Sequence, residues 1–521
     1  MGAEHPKPSP ELRLITVSEL SQHNSLTDLW LVVAGTVYDL STFAPSHPGG
    51  AATLLQHAGR DATAAYTDVH SLSLIQASLP LSSRVGALDQ ASVPEGWPHP
   101  LNPSSPPSSA LVQQKQTQNP PLDSLLSAHD FAAAALLSFS PKAYAFVSSA
   151  ATDCHTASRN ASAYARITLR PRVLRRDVRV VSTQTSILGC RVGVPFFAAP
   201  TSMGKVVHAE GERGIVRGCK ARGVGVCVST SASYGVGEVV AALEEEEEED
   251  KGGIGKGKEK IPLFFQLYVD KDRAKSEKLL QVVRAHGIKG IFLTVDAPVI
   301  GKREADERVQ SDVSNFTAPM SGAQAKSDKK GGALGRLMGG YIDASLTWAD
   351  VAWLRAQVPG LPVAIKGIQT AMDAVRALEA GADAIYVSNH GGRSLDTAPA
   401  TILVLLELQK CCPRVFERME VYVDGGVTRG TDVFKALCLG ARAVGVGRGF
   451  LYALGYGREG VERFVDILTD ELVTTMQMCG ITSLDQVHPG LLNTGAVDHL
   501  IPDSEEHPYA KWRPELRSSK L

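Results

Sequence analysis

Residues 384–393 read A-I-Y-V-S-N-H-G-G-R. Ala384–Val387 is short and continuously apolar, as a strand buried on both faces must be. It delivers a histidine and an arginine three residues apart. In a barrel of alternating strands and helices, the C-terminal strand edge is where chemistry is placed. There His390 can accept a proton, and Arg393 is a fixed cation suited to a carboxylate.

Seven further runs of the same kind flank this one: Pro195–Pro200, Val224–Thr230, Leu263–Val269, Gly290–Asp296, Pro362–Gly367, Glu420–Gly426 and Ala443–Arg448. Helical patterns such as Thr370–Ala380 and Thr431–Leu439 separate most of them. Eight strand–helix repeats over about 250–300 residues predict an α/β fold, a (β/α)8 TIM barrel, with a doubly wound sheet as the alternative.

The predicted strand ends carry a coherent set of groups. The first three supply Pro200, Thr201 and Ser202, then Ser229, then Gln266 and Tyr268; the hydroxyls and the amide suit the edge of an uncharged heterocycle. The fourth gives Thr294 and Asp296, with Arg303 beyond it; the fifth gives Lys366, a cation able to stabilise an anionic ring. The sixth gives Ser388 and His390 with Arg393. The seventh and eighth give Asp424, Gly425, Gly426, Arg429, Gly447 and Arg448, glycines and arginines of the kind that grip a phosphate in such barrels. The set points to a phosphorylated redox cofactor such as FMN. His390 and Asp296 make a base with an orienting carboxylate, and Arg303 and Arg393 can hold an anionic substrate.

The chain has 521 residues and a net charge of −2, enough for more than one domain and without the basic excess that nucleic acid or an anionic membrane would call for. No apolar run reaches the length of a membrane span. The eight cysteines form no C-x-x-C and are expected to be reduced. Four segments follow from composition: a compact module over 10–86, a Pro/Ser-rich linker over 87–121, the barrel over 122–505 and a tail over 506–521. The acidic run Glu244–Asp250 reads as a solvated loop on the face of the barrel away from the chemistry. An insertion over 304–345 falls on the catalytic face and reads as a lid or a disordered segment. The chain ends Ser519-Lys520-Leu521, a peroxisomal address.

In the N-terminal module, His47 lies in H-P-G-G after a strand-like segment, Trp30–Leu40, and His70 comes 23 residues later. Two such histidines can grip a flat macrocycle from both sides. Haem b iron ligated in that way has no open position and transfers electrons. His57 competes as second ligand but falls mid-helix in this reading. The frame W-L-V-V-A-G-T-V-Y-D-L-S-T-F, H-P-G-G, G-R-D-A-T resembles cytochrome b5, and the resemblance implies that His47 and His70 are the axial ligands.

The barrel motifs R-P-R-V-L (170–174), Q-L-Y-V (266–269), L-T-V-D-A-P (293–298), G-K-R-E-A-D (301–306), I-K-G (365–367), S-N-H-G-G-R-S-L-D (388–396), D-G-G-V-T-R-G-T-D-V-F-K-A-L (424–437) and G-V-G-R (445–448) resemble the FMN-dependent 2-hydroxy-acid oxidases and dehydrogenases. Fused to a b5-like module, the whole resembles the flavocytochrome b2 family of haem-linked lactate dehydrogenases. The resemblance implies that His390 takes a proton from the substrate, Asp296 stabilises the imidazolium and Tyr268 bonds the substrate hydroxyl. Arg393, helped by Arg303, binds the carboxylate. Lys366 faces the flavin, while Arg429, Gly447 and Arg448 hold its phosphate. It also implies a homotetramer and, by analogy, the mitochondrial intermembrane space as the alternative address.

Two positions depart from the pattern. Phe146 stands where the family places a tyrosine that meets the substrate carboxylate. Ser231 stands where a bulky pocket residue is usual, implying more room or more polarity. Both point away from simple lactate. Three readings are carried forward: a dehydrogenase passing electrons to haem, an oxidase reducing O2 to peroxide with an accessory haem, and a haem-binding interaction protein with an inactive barrel.

Overall fold

The computed structural model describes residues 13–502 except 47–50, 56, 64–65, 67–74, 76–78, 95–96, 98–118, 245–259, 310–317 and 323–338. The acidic run beyond Glu244, most of the expected linker, much of the 304–345 insertion and the S-K-L terminus lie outside the described residues. The chain forms two compact units, Met1–Lys115 and Gln116–Leu521.

The first unit is built on a five-stranded sheet of β1 (Leu14–Ile15), β2 (Asn24–Ser25), β3 (Asp28–Val33), β4 (Thr36–Asp39) and β5 (Arg84–Leu88), ordered β1-β5-β4-β3-β2. Alternation divides β3 between two apolar clusters: Leu29, Leu31 and Val33 enter one, Val32 the other. The segment Trp30–Leu40 is therefore a hairpin and not one strand. Ala34 (φ 50°) and Gly35 (φ 76°) make its turn, which needs positive φ at both central residues. The expected boundary at residue 86 falls inside β5, which pairs with β1 and β4, so the module continues past it. His57 sits in the turn after the helix Ala51–Leu55, whereas the sequence reading put it mid-helix.

The second unit is a closed barrel of eight parallel strands. They are β6 (Phe196–Ala198), β7 (Val226–Ser229), β8 (Leu263–Leu267), β9 (Ile291–Thr294), β10 (Val363–Ile368), β11 (Ala384–Val387), β12 (Glu420–Val423) and β13 (Ala443–Val446). All eight predicted runs are strands. Each strand buries both faces, one against the surrounding helices and one inward, which is why none alternates. The interior is filled by Phe197, Phe264, Phe292, Tyr386 and Tyr422 set against the small Ala364, Ala384 and Ala443. Tilted and edge-on ring pairs, such as Phe292–Tyr386 at 5.7 Å, lock this layer. A hairpin, Thr185–Ile187 with Cys190–Val192, adds Ile187 and Val192 to the same cluster.

The described ends of the 304–345 insertion are a helix, Glu304–Arg308, and a return at Tyr341–Asp343 that bridges the chain beyond β8 through Asp270 and Ile342. All eight cysteines are free, and five are buried. Among the described residues, no helix is long and apolar enough to cross a membrane.

Candidate active site

The C-terminal end of β11 turns sharply. His390, Gly391 and Gly392 take φ of 59°, 63° and 77°, three left-handed residues in succession. Such a conformation costs a non-glycine residue about 1–2 kcal/mol, so the surroundings must hold His390 there. Ser388 Oγ accepts from the His390 backbone N–H at 3.0 Å. Behind it, the buried side-chain amides of Asn389 and Asn160 donate to each other at 2.8 and 2.9 Å, and Asn389 also donates to the Pro399 carbonyl. Asn160 comes from the helix His155–Arg166 and had no signal in the sequence reading.

The hook places His390 Nδ1 2.8 Å from Asp296 Oδ1 and its Nε2 3.5 Å from the Tyr268 hydroxyl. Asp296 in turn lies 3.4 Å from Lys366 Nζ, which donates to Ser388 Oγ at 2.9 Å. Asp424 is 3.7 Å away on the other side of Lys366. This cation is therefore flanked by two carboxylates. Burial opposes charge on each of these groups, and the neighbours decide the outcome. Asp296 would rise with burial, but Lys366 and His390 bring it down to about 2. Lys366 would fall, but Asp296 and Asp424 hold it above its ordinary value. His390 is pushed down, chiefly by burial against the opposing pull of Asp296, and Tyr268 is pushed well up by burial and then by Asp296. At neutral pH the set is a carboxylate, an ammonium, a neutral imidazole with Nε2 available, and a neutral phenol.

Arginines gather beside it. Arg393 donates to the carbonyls of Phe146, Val147 and Ser149, at the C-terminal end of the helix Pro141–Ser148. Its guanidinium lies 5.4 Å from the Phe146 ring centroid. Arg303, 4% exposed, donates through Nε to the Arg393 carbonyl at 3.3 Å and leaves one terminal nitrogen without a partner. Burial and then the charges of Arg303 and Arg448 push Arg393 well below the ordinary guanidinium range. A guanidinium does not give up its proton under these conditions; the shift registers burial first and then the neighbouring cations, with Asp306 pulling the other way. Asp306, near Arg303, is held at 2.6 Å by buried Lys142, a pair the sequence reading did not find.

Arg303, Lys366, His390, Arg393, Pro200, Thr201, Ser202, Asp424, Gly425, Gly426, Gly447 and Arg448 line one cavity together with Phe146. Ser229 Oγ donates to Gln266 Oε1 at 2.9 Å and lies 3.4 Å from Ser202 Oγ. The Gln266 amide nitrogen, Thr294 Oγ1 and one Asp424 oxygen are buried without partners. Orphaned polar atoms at three strand ends of one barrel are costly unless a ligand satisfies them. A heterocycle edge with donors and acceptors does so, and the residues present fit FMN. Gly447 points to the same place, since a Cβ there would meet only Thr201, at 3.9 Å. Gly426 has another reason to be glycine: at φ 82° its Cβ would sit 2.4 Å from the Asn160 carbonyl.

Arg429 is a correction. It lies outside the cavity lining, and its guanidinium pairs with Glu471 at 2.7 Å on the helix Gly457–Met478. The cavity is lined at this point by its neighbour Thr428, because Arg429 begins the helix Gly430–Cys438 and turns outward. Ser231 is fully buried, and its hydroxyl lies 2.8 Å from that of Tyr341, so the residue brings a polar contact rather than an apolar side chain to this position. His47 and His70 lie outside the described residues. The first unit contributes an apolar cluster that includes Leu31, Val33, Ala58 and Ile75.

The profile of the FMN-dependent dehydrogenases matches residues 136–494, more than half of the chain. The chain belongs to this family. The profile of the cytochrome b5-like haem/steroid binding domain matches residues 16–89. An L-lactate dehydrogenase (cytochrome) of Saccharomyces cerevisiae is 37% identical over 498 residues, covering 94% of this chain and 81% of that protein. A glycolate oxidase of Spinacia oleracea is 39% identical over 351 residues, covering 66% of this chain and 89% of that protein. Among solved structures, a flavocytochrome b2 double mutant with pyruvate bound matches with a TM-score of 0.63 and 38% identity, over 73% of this chain and 89% of the other. As a member of the FMN-dependent dehydrogenases with a b5 domain attached, the chain is a flavoprotein oxidoreductase with FMN and haem as cofactors.

Proposed function

We propose that this chain oxidises an L-2-hydroxy acid to the 2-oxo acid and passes the electrons to its own haem module. The observation that carries the reading is the Arg303–Arg393 pair on one cavity wall beside His390, whose Nδ1 is backed by Asp296. FMN, when bound, supplies the two-electron acceptor. The chain's own residues do the rest. Arg393 and Arg303 seat the substrate carboxylate, which fixes the hydroxyl-bearing carbon toward His390. Tyr268 bonds the substrate hydroxyl, and His390 Nε2 takes a proton from the substrate. Asp296 stabilises the resulting imidazolium without becoming protonated, since its carboxyl titrates near 2. Lys366 would support negative charge on the cofactor ring, and Gly447 and Arg448 would hold its phosphate. By resemblance to the b5-like domain, His47 and His70 would hold the haem, which would supply one-electron transfer.

A second reading is favoured by Ser519-Lys520-Leu521: a peroxisomal oxidase that returns the electrons to O2, with the haem as an accessory. Peroxisomal delivery itself is proposed on that tripeptide, and a homotetramer on the resemblance. Anaerobic rapid mixing with a panel of L-2-hydroxy acids, following flavin and haem bands separately, tests the choice. Flavin bleaching followed by haem reduction is expected. Flavin bleaching with oxidised haem, and fast peroxide formation in air, would favour the oxidase. No bleaching by any 2-hydroxy acid would end the reading.

A further inference from the structure

Arg303 and Arg393 can seat a substrate carboxylate only if no carboxylate of the chain reaches them first. Asp306 is the group placed to do so. It is fully buried and lies one turn on from Arg303, in the short helix that Arg303 begins; the Glu307 N–H donates to the Arg303 carbonyl at 3.0 Å. Burial pulls both guanidiniums down, and the charge of Asp306 opposes that at each of them. Yet Arg303 Nη1 is buried without a partner. Lys142 accounts for the difference. Its buried Nζ lies 2.6 Å from Asp306 Oδ1 and also donates to the carbonyls of Asp306 and, at 3.1 Å, of Val309. An ammonium has three donors, and these three acceptors use them all. Lys142 stands in the first turn of the helix Pro141–Ser148, and the carbonyls of Phe146, Val147 and Ser149 at its other end accept from Arg393. One helix thus grips one arginine through its last carbonyls and the acid beside the other through its first turn.

We propose that Lys142 is a positioning residue: it holds the Asp306 carboxylate away from Arg303 and so keeps a guanidinium nitrogen open for the carboxylate of the substrate. The inference rests on the 2-hydroxy-acid reading above. A buried carboxylate deprived of its counter-ion turns to another cation within reach, because an unpaired charge in a low-dielectric interior is far costlier than a paired one. Without Lys142, the buried cation in the same turn is Arg303. The chain's own acid would then occupy that arginine, and the substrate would meet a closed pair where it now meets an open donor. The loss falls on binding. A contact to the carboxylate is made in the bound substrate and in the transition state alike, so removing it raises KM and spares kcat.

The test uses the full-length holoenzyme, with KM and kcat for L-lactate and the dissociation constant of pyruvate read from the flavin spectrum. Lys142→Met is expected to raise KM and the pyruvate dissociation constant by about tenfold or more, the effect of one charge-assisted hydrogen bond, with kcat within about threefold of native. Adding Asp306→Asn should return both constants to within about threefold of native, because no carboxylate is left to occupy Arg303. That recovery separates positioning from packing. The bonds from Lys142 to the two carbonyls are missing in the double variant as well, so damage caused by their loss would persist. Should Lys142→Met fail to fold, Lys142→Gln removes the charge and keeps donors for the carbonyls. Unchanged KM and pyruvate binding in the single variant, or a double variant as impaired as the single one, overturns the inference. If no 2-hydroxy acid reduces the flavin of the native protein, the functional reading falls and takes this with it; native turnover without recovery in the double variant sinks this inference alone.

Discussion

Gly367 and Asp296 are in contact across adjacent strand ends: a Cβ on Gly367 would lie 2.7 Å from the Asp296 Cβ and from its backbone nitrogen. Gly367 sits at φ 118°, where β10 bulges against β11. The glycine after Lys366 thus lets the orienting carboxylate approach both the lysine and His390. Gly367→Ala is expected to push Asp296 aside and lower kcat by about 100-fold, the scale of a misplacement near 1 Å, with FMN still bound. Full turnover in a flavin-replete variant would show that the contact does not set the geometry.

The state of His390 fixes the pH dependence. Its pKa lies below the ordinary 6.5, so the neutral base persists through pH 7 and kcat/KM falls only on the acid side of that value. Asp296 is the group that pulls this pKa upward. Asp296→Asn should therefore move the acid limb to lower pH while cutting the rate by about 10²–10⁴-fold. A pH–rate profile whose acid limb moves upward would contradict the arrangement.

Phe146 lies beside Arg393 but offers no hydroxyl to a carboxylate seated there. A hydrogen bond to a charged group contributes about 1.5–3 kcal/mol, so Phe146→Tyr should raise kcat/KM for small 2-hydroxy acids about 10- to 100-fold. Steady-state kinetics on lactate and glycolate would decide, and an unchanged value would remove the missing-hydroxyl argument.

Asp396 accepts from the Thr156 N–H at 2.8 Å, the Asp153 N–H at 3.1 Å and the Thr152 hydroxyl at 3.0 Å. It caps the helix His155–Arg166 from across the chain, because Cys154 offers no side-chain cap. Burial opposes its charge, but these donors hold its carboxyl below the ordinary 3.8. A lowered folded value means that its contribution is present above pH 3.8 and fades as pH falls below it. Asp396→Ala should cost about 1 kcal/mol at pH 7 and much less near pH 2. Thermal melts at both pH values check this; equal losses at both would argue against a charge-dependent cap.

The barrel was legible because a strand buried on both faces leaves an unbroken apolar run, and eight such runs cannot be mistaken for amphipathic helices. His390, Asp296, Tyr268 and Arg393 were legible because each follows directly from the end of such a run. Asn160 was not, since its partner is 229 positions away and pairing through space leaves no periodic trace. Thr428 and Arg429 were confused because adjacent residues at a helix start point in different directions. The Tyr341 hydroxyl escaped notice because it returns from an insertion whose path the sequence does not reveal. The turn at Ala34–Gly35 was missed because an alanine seldom signals positive φ.

Phe197, Phe264, Phe292, Tyr386 and Tyr422 pack the barrel interior beneath the catalytic floor; all are fully buried. The proton released at His390 therefore has no exit through the barrel axis. It must depart by the mouth that admits the acid and discharges the keto product, so these three movements share a single doorway and each waits its turn.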